Sequence, residues 1–374
     1  MNLKIGSFKK FKTTKGNLLH LNINQKGRLY RKENTIYFEQ LDENNEKIKV
    51  FNFPINKISS INILNNVQFD SEILYFLNLH KIRIDFFNHF SKKFFGSFEP
   101  NDFLNVNIMF SQFELLKNNQ FELFKRLDLI EETYFKTVLN MQYFLSFYQK
   151  RKNNIEITKI KKNLMKIYKN NFQKEIKKQK ESQILNLENL MLFEGQIWNE
   201  YYKSFDLILL DGWDFNKRSK FPPENFVNSL ISFANMNLYK LIVQKLKEVG
   251  IDEKISYYHA LNDTRYSLAL DLSEYLKPLY SHKFIIKLLN EKKIIKSHFK
   301  NDGTFNLNDE GIKIFYINFL DLLNKTIFNK KLNRNVSLEY TIKLELYKYL
   351  KFIKNEEKEI NFINFNDKNI KIEW

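Results

Sequence analysis

Two hydrophobic patterns divide the sequence near residue 100. In the first hundred residues, Ile82, Ile84 and Phe86 alternate with Arg83 and Asp85, which is the period of a half-buried β-strand. Further short apolar runs, bounded by Gly, Asn and Asp clusters that suit turns, predict strands around residues 29–30, 35–38, 47–51 and 58–64. One short helix is expected over residues 70–79. This part of the chain is therefore predicted to form a β-sheet or β-sandwich domain.

The rest of the chain carries a helical pattern. Neither Gly nor Pro occurs from residue 101 to 194, and Leu, Lys, Glu and Phe are abundant there. The change falls between Gly96 and Pro100, and a chain of 374 residues is long enough for two domains. The sequence thus predicts an α+β protein, with a β domain over residues 1–98 and a larger all-α catalytic domain over residues 101–374. Because short strands leave sheet edges that need covering, the β domain is expected to carry dimerisation.

Composition excludes several classes of protein. Hydrophobic residues make up 43% of the chain and aromatic residues 16%, which is enough to build cores and excludes a disordered chain. There is no cysteine, so disulfides and thiolate zinc sites are excluded. No apolar run approaches the ~18 residues that cross a bilayer, and the first residues lack the apolar core of a signal peptide. The protein is expected to be soluble and cytoplasmic, with no membrane partner.

The charge balance points to a polyanionic partner. Sixty Lys and Arg residues outnumber 43 Asp and Glu residues, which leaves a net charge of +17. Nucleic acid is the first candidate partner for so basic a protein. The alternative explanation is an AT-rich genome, whose codons favour lysine, although that bias need not unbalance the charge.

A basic segment, residues 150–180, holds over half of this excess, with twelve Lys or Arg against two Glu. Its apolar residues recur at helical spacing: Ile157, Ile160, Leu164, Ile167 and Tyr168. The segment is therefore expected to form an amphipathic helix. Its lysines either contact DNA phosphates or form the solvated face of an ordinary helix.

One carboxylate interrupts a predicted apolar helix face. Between residues 187 and 202, an apolar stripe recurs at helical spacing: Leu187, Leu190, Met191, Trp198 and Tyr201. Glu194 lies within that stripe, where a buried carboxylate is costly unless a cation or hydrogen bonds compensate it. Gly195 follows directly and leaves room for a close approach. The alternative is a salt bridge to one of the many lysines.

A second group of polar residues lies downstream. Asp271 and Glu274 are three residues apart and share a helix face, on which Asp271 aligns with the apolar Leu268 and Tyr275. His259 precedes Asp271 by twelve residues. A lone histidine is usually structural. The other five histidines have no comparable group of acidic residues beside them and are treated as background: His20, His80, His89, His282 and His298.

Glu194, His259, Asp271 and Glu274 together predict a shared cation. Imidazole and carboxylate ligands suit Mn²⁺ or Mg²⁺ at a hydrated site, and zinc is less favoured. Such an ion can activate a water or hydroxyl and stabilise charge on a phosphodiester. With the basic surface, this favours a metal-dependent nuclease or phosphoryl-transfer enzyme. The sequence lacks the Gly-x-x-x-x-Gly-Lys-Ser/Thr phosphate loop, so nucleotide hydrolysis through that loop is not expected.

The same residues lie in two of three motifs that make the sequence similar to a known family. The motifs are LMLFEGQIWNEYY (190–202), an Arg…Pro-Pro…Asn-x-Leu-x-Ser-Phe segment (214–239), and His259 followed by RYSLALDLSEYLKP (265–278). In this order and spacing the chain resembles the CRISPR-associated protein one family, the integrases that insert new spacers into CRISPR arrays. It departs from the family pattern Arg-Pro-x-x-x-Asp, because it has Lys277, Pro278 and His282 there.

The resemblance implies a site, a reaction and partners. It implies that Glu194, His259 and Glu274 are the metal ligands and that Asp271 is an adjacent acidic residue. The implied reaction is that of a DNA endonuclease and integrase, in which the 3′ hydroxyls of a short duplex attack the repeat ends by transesterification without ATP. The implied partners are double-stranded DNA, a second copy of this chain, and CRISPR-associated protein two. Membership of a type I system is one interpretation, and the subtype, the spacer length and the metal stay open.

Three other functions also stay open from the sequence. A structure-specific DNA repair nuclease would use the same metal site with water as the nucleophile. A transposon-borne homologue would integrate a whole element. A non-catalytic DNA-binding scaffold would pair its carboxylates with lysines instead of a metal.

Overall fold

The computed structural model describes residues 19–366, except for 89–93, 101–104, 118, 153–154, 211, 221, 263–264 and 301–304. The chain divides into two compact units, residues 1–103 and 104–374. The described strands of the first unit form two sheets, whereas the second unit is mostly helical. The predicted α+β class is confirmed.

The first unit is a pair of four-stranded sheets. Its described elements are β1 (Leu19–Ile23), β2 (Gly27–Lys32), β3 (Thr35–Leu41), β4 (Lys47–Pro54), β5 (Ile58–Ile63), β6 (Val67–Gln68), helix α1 (Ser71–Leu79), β7 (Arg83–Phe87) and β8 (Phe94–Phe98). One sheet has the order β1–β5–β7–β8, parallel except for the β7–β8 pair. The other has the order β4–β3–β2–β6, antiparallel except for the β2–β6 pair.

Alternation along these strands builds one hydrophobic core between the two sheets. Leu29 and Ile36 from the second sheet and Ile61 and Ile84 from the first sheet have no exposed surface and belong to one cluster. Helix α1 begins at Ser71 because the Asp70 carboxylate accepts a hydrogen bond from the amide of Ile73 at 3.0 Å. Strands β2, β3, β4, β5 and β7 and helix α1 lie where the sequence pattern predicted them, whereas β1, β6 and β8 were not predicted.

The second unit is a helical domain with a hydrophobic core of its own. Its described helices are α2 (Val106–Glu114), α3 (Gln120–Lys152), α4 (Ile155–Ile167), α5 (Gln173–Ser182), α6 (Leu187–Tyr202), α7 (Phe205–Ile208), α8 (Phe226–Val249), α9 (Ser267–Ser273), α10 (Phe284–Asn290), α11 (Asp309–Asn324) and α12 (Leu338–Ile353). Wider π-helical turns, Tyr168–Phe172 and Pro278–Lys283, precede α5 and α10. The unit also contains an antiparallel hairpin, β9 (Thr326–Asn329) and β10 (Arg334–Ser337), which the sequence analysis did not predict.

The long helix α3 packs against α4, α6 and the turn before α10, and it brings the elements of the candidate site together. In α4, Ile157, Ile160 and Leu164 are buried, as the amphipathic pattern predicted, and Tyr168 is buried in the turn that follows. Ile167, the last residue of α4, is only half-buried. The side chains of residues 150–154 of the basic segment lie outside the described residues. No helix within the described part of the chain is long and apolar enough to span a membrane.

Candidate metal centre

Glu194 lies on α6, at the edge of the helix face that packs into the core. The helix begins after Asn186, whose side chain accepts a hydrogen bond from the amide of Asn189 at 3.0 Å. Leu190, Ile197 and Tyr201 are fully buried, and Glu194 is half-buried beside them. The Glu194 side chain is therefore partly enclosed by the core of the helical unit.

The expected position of Met191 in the buried stripe was wrong, because its side chain is 36% exposed. The buried face passes through Leu190 and Ile197, which lie two helical turns apart, and Met191 lies off that line. Beyond Glu194, a Cβ atom added at Gly195 would meet open space. The surface beside the Glu194 carboxylate is therefore free for a close approach.

His259 is held in place by a buried carboxylate on α9. Asp271 is 1% exposed, and its oxygens accept hydrogen bonds from the amides of Tyr257 (3.0 Å), Tyr258 (3.0 Å) and His259 (3.1 Å). Its Oδ1 also lies 2.6 Å from Nδ1 of the His259 ring. An ionised carboxylate only accepts hydrogen bonds, so Nδ1 carries the proton and Nε2 is left to bind a cation.

Glu274 follows the last residue of α9 and is 2% exposed. Its Oε1 lies 2.5 Å from Nζ of Lys277, which itself lies over the rings of Trp198 and Tyr239 at 5.5 and 5.4 Å. Its Oε2 is buried, and no described residue donates a hydrogen bond to it. A buried carboxylate oxygen without a donor is unfavourable unless something else, such as a cation, compensates it.

The structure brings three of the four sequence-predicted site residues into one cluster. One ligand atom from each of Glu194, His259 and Glu274 lies within 4.8 Å of the others. Asp271 is not part of that cluster and instead lies behind the His259 ring. Two carboxylate oxygens, one of them without a donor, and one imidazole nitrogen fit a divalent cation such as Mn²⁺ or Mg²⁺.

The charges of the cluster also favour a cation. Burial and the neighbouring Glu274 raise the pKa of Glu194, although the charge of His259 opposes that rise. Burial lowers the pKa of His259, but its hydrogen bond to Asp271 and the nearby carboxylates outweigh burial and raise it. Burial also lowers the pKa of Lys277, but Glu274 outweighs burial, so the net shift is upward and Lys277 stays a cation. Glu194 and Glu274 repel each other, and a divalent ion would relieve that repulsion.

Sequence reasoning missed two tyrosines beside Glu194. Burial, followed by the charge of Glu194, raises the pKa of both the Tyr134 and the Tyr258 hydroxyls. The two rings lie edge to face, with centroids 5.3 Å apart. Tyr258 could have been suspected from its position next to His259, whereas Tyr134 comes from α3, sixty residues before Glu194, and carries no local signal.

His282, which the sequence analysis treated as background, is fully buried next to the cluster elements. Its ring meets that of Trp198 edge to face at 5.7 Å, and its Nδ1 lies 3.3 Å from the Tyr201 hydroxyl. Burial lowers the pKa of His282, and the charges of Lys277 and Arg218 lower it further. His282 is therefore a neutral core residue at the position where the family pattern has an aspartate.

Comparison with protein families gives one match over most of the chain. The family described as "CRISPR associated protein Cas1" matches residues 21–320. This span includes all four residues predicted for the site.

Curated relatives match at similar length. The chain is 31% identical over 339 residues to the CRISPR-associated endonuclease Cas1 of Fusobacterium nucleatum subsp. nucleatum, covering 90% of this chain and 94% of the relative. It is 34% identical over 342 residues to the CRISPR-associated endonuclease Cas1 2 of Thermodesulfovibrio yellowstonii, covering 90% of this chain and 96% of that relative.

Solved structures share the fold. A CAS1 protein from Thermotoga maritima matches with a TM-score of 0.69 at 28% identity, covering 92% of this chain and 100% of that one. A casposase bound to integration product matches with a TM-score of 0.70 at 16% identity, covering 96% and 95% of the two chains. A chain of a Cas6-RT-Cas1–Cas2 complex matches with a TM-score of 0.64 at 17% identity, covering 94% of this chain and 37% of that one. These last two show likeness of fold alone, whereas the family match and the curated relatives establish that this chain belongs to the CRISPR-associated Cas1 family.

Proposed function

We propose that this protein is a divalent-metal-dependent DNA endonuclease and integrase that inserts new spacer DNA into a CRISPR array. The observation that carries the proposal is the convergence of Glu194, His259 and Glu274, whose ligand atoms lie within 4.8 Å of one another. The names of the curated relatives, which are CRISPR-associated endonucleases, support the same reaction. The net charge of +17 suits a DNA substrate.

Each residue of the site has a separate task in this proposal. Glu194, His259 and Glu274 would hold the ion, which when bound supplies charge stabilisation for a phosphodiester and a more acidic water or hydroxyl. Asp271 keeps the proton on Nδ1 of His259 and thereby keeps Nε2 available. Lys277 occupies Oε1 of Glu274 and leaves Oε2 as the available oxygen.

The proposed integration step is a transesterification. The 3′ oxygen of the incoming duplex forms a bond to a phosphorus atom at the end of the repeat, and the bond from that phosphorus to the 3′ oxygen of the repeat strand breaks. The proton of the attacking hydroxyl is released, and the departing 3′ oxygen takes up a proton. One phosphodiester replaces another, so the step needs no ATP.

The proposed partners are DNA, a second copy of this chain and Cas2. The matching chain of the Cas6-RT-Cas1–Cas2 complex supports the last of these through its shared fold. Among the described strands, β1, β8, β4 and β6 lie at the edges of their sheets. Because edge strands present unpaired backbone groups, we place the dimer contact in the first unit.

A strand-transfer assay tests the proposal. Purified protein is mixed with Mn²⁺, a labelled short duplex and a plasmid carrying a CRISPR repeat, and joined product is measured. Wild type should join the duplex, and Glu194→Gln, His259→Ala and Glu274→Gln should not. Glu188→Gln is the matched control, because Glu188 is an exposed residue on the same helix.

A duplex with 3′-dideoxy ends separates integration from hydrolysis. Removing the 3′ hydroxyl should abolish joining by wild type. Product that forms by cleavage alone, with and without the 3′ hydroxyl, would indicate a repair-type nuclease instead. Joining that persists in any of the three ligand variants would overturn the assignment of the site.

A further inference from the structure

A second polar feature lies outside the metal cluster, between α3 and α4. It is an open groove of about 640 Å³ with eleven lining residues, of which four are lysines: Lys161, Lys162, Lys166 and Lys169. Six of the other seven are neutral polar residues and one is a methionine. Within the described lining there is no carboxylate and none of the three candidate metal ligands.

Three of the lysines lie close together in sequence, Lys162 and Lys166 on α4 and Lys169 in the π-helical turn that follows it. Lys162, Lys166 and Lys169 are spaced by four and three residues, and all three are exposed. Like charges at this spacing on a helix repel each other and destabilise it. The repulsion would be relieved by an anion lying along these lysines.

The floor of the groove is fixed by hydrogen bonds between neutral groups and one lysine. Nζ of Lys161 donates to Oγ of Ser146 at 2.7 Å and to Oε1 of Gln149 at 2.9 Å. Nε2 of Gln149 donates to Oγ1 of Thr158 at 2.8 Å, and Nε2 of Gln142 donates to the carbonyl oxygen of Lys161 at 2.8 Å. The two helices are thus held together by polar side chains before any ligand binds.

We propose that this groove, with Lys162, Lys166 and Lys169 along its wall, binds the phosphodiester backbone of duplex DNA. Lysines and amide side chains contact phosphates without reading sequence, and the lining is composed mainly of these residue types. The inference rests on the proposed function for the identity of its ligand. It is also narrower than the basic segment as a whole, because Lys174, Lys177 and Lys178 are exposed on α5 but do not line the groove.

Helix α3 contributes a residue to the surroundings of the metal cluster and residues to the groove. Helix α3 carries Tyr134 beside Glu194 and, eight residues later, Gln142 in the groove. Eight residues of α-helix span about 12 Å. Each DNA strand carries one phosphate per roughly 3.4 Å of axis, so this length of helix matches about four nucleotides of a strand.

Two charge-matched triple variants test the inference. In the groove variant Lys162, Lys166 and Lys169 are all replaced by Glu, and in the control variant Lys174, Lys177 and Lys178 are. Both are made in the full chain, and affinity for a short duplex of unrelated sequence is measured between about 50 and 200 mM salt. Circular dichroism and thermal melting check the fold, and Lys→Gln triples at the same positions replace any variant that fails to fold.

The groove variant should bind at least about tenfold more weakly than the control variant. Each phosphate contact contributes about 0.9 to the log–log salt slope. The slope of the groove variant should therefore fall in magnitude by up to about 2.7, whereas the slope of the control variant should change by less than about 0.9. Equal losses of affinity and slope in the two triples would overturn the inference.

Wild type and Glu274→Gln in the same titration separate this failure from failure of the proposed function. If wild type integrates DNA and the two triples bind alike, only the groove inference fails. If wild type neither binds nor integrates DNA, the proposed function fails and the groove inference fails with it. We expect that Glu274→Gln still binds DNA and that the groove variant binds it more weakly.

Discussion

The Nδ1 atom of His259 lies 2.6 Å from Oδ1 of Asp271, and the same carboxylate holds the backbone amides of residues 257–259. One buried side chain therefore fixes both the loop that carries His259 and the orientation of its ring. Asp271 is a positioning residue in this arrangement, because its oxygens are occupied by the loop and not by the cluster. The sequence analysis had identified Asp271 as an acidic neighbour but had no means of finding the backbone amides.

Asp271→Asn should weaken Mn²⁺ binding by about 10- to 100-fold and lower stability by about 1–3 kcal/mol. The asparagine side chain has one acceptor oxygen and one NH₂ group, which only donates. It therefore cannot accept hydrogen bonds from all four N–H groups that the two Asp271 oxygens now serve. Integration should fall but remain measurable, because Asp271 does not contact the ion in our assignment. Isothermal titration with Mn²⁺ and thermal melting measure both effects, with Asp309→Asn at an exposed helix start as the control. Unchanged Mn²⁺ affinity in Asp271→Asn would contradict the positioning role.

Glu132 should make the protein less stable as pH rises from about 4.5 to 7. Burial raises the pKa of Glu132 to about 7, although Lys136 opposes the shift and the amide of Phe362 donates to its Oε1 at 2.8 Å. The Glu132 carboxyl group thus binds its proton more tightly in the folded state than in the unfolded state. Its contribution to stability is fully present below the pKa of the unfolded state and is lost as pH rises through the pKa of the folded state. The loss is at most about 3 kcal/mol.

Glu132→Gln removes this titration and keeps an oxygen for the amide of Phe362. The difference in free energy of unfolding between pH 5 and pH 8, measured with urea, should therefore be smaller in the variant than in wild type. Equal pH dependence in the two proteins would show that Glu132 titrates normally.

Gly195→Ala should stabilise the protein by about 0.5–1 kcal/mol and reduce integration. Alanine is the better helix former, and a Cβ atom at this position meets open space within the protein. The added methyl group lies next to Glu194, where DNA would have to approach the cluster. Thermal melting and the strand-transfer assay measure the two effects. Full activity in a stabilised variant would show that DNA does not approach α6 at this point.

A truncated protein of residues 101–374 should lose dimerisation while remaining folded. The helical unit has a hydrophobic core separate from that of the first unit, so it retains what it needs to fold. Sedimentation equilibrium gives the oligomeric state, and circular dichroism checks the helices. A truncated protein that still sediments as a dimer would place the contact in the helical unit.

Much of the fold and of the site follows from periodicity. Strands β2, β3, β4, β5 and β7 and the bounds of α6 could be predicted because their apolar residues repeat at two and at 3.6 residues. Glu194 and Asp271 could be found because each interrupts an apolar helix face, and Glu274 and His259 because they lie close to Asp271 in sequence.

The parts that could not be predicted depend on contacts between distant segments. Tyr134 reaches Glu194 only because α3 packs against α6, and no local pattern records that packing. The β9–β10 hairpin has strands of four residues each, and Phe328 within it is 44% exposed, so its pattern is too short and irregular to identify. Lys277 lies three residues after Glu274, but its burial between two aromatic rings depends on α6 and α8.

Direct Mn²⁺ binding tests the central claim, that Glu194, His259 and Glu274 hold one divalent ion. Wild type and the control Glu188→Gln should each bind one Mn²⁺ per chain and, at 100 times the dissociation constant, gain about 2.7 kcal/mol of stability, seen as a higher melting temperature. Glu194→Gln, His259→Ala and Glu274→Gln should each remain folded and show neither the binding nor the rise in melting temperature. Mn²⁺ binding with wild-type affinity in any one of the three variants would contradict the account.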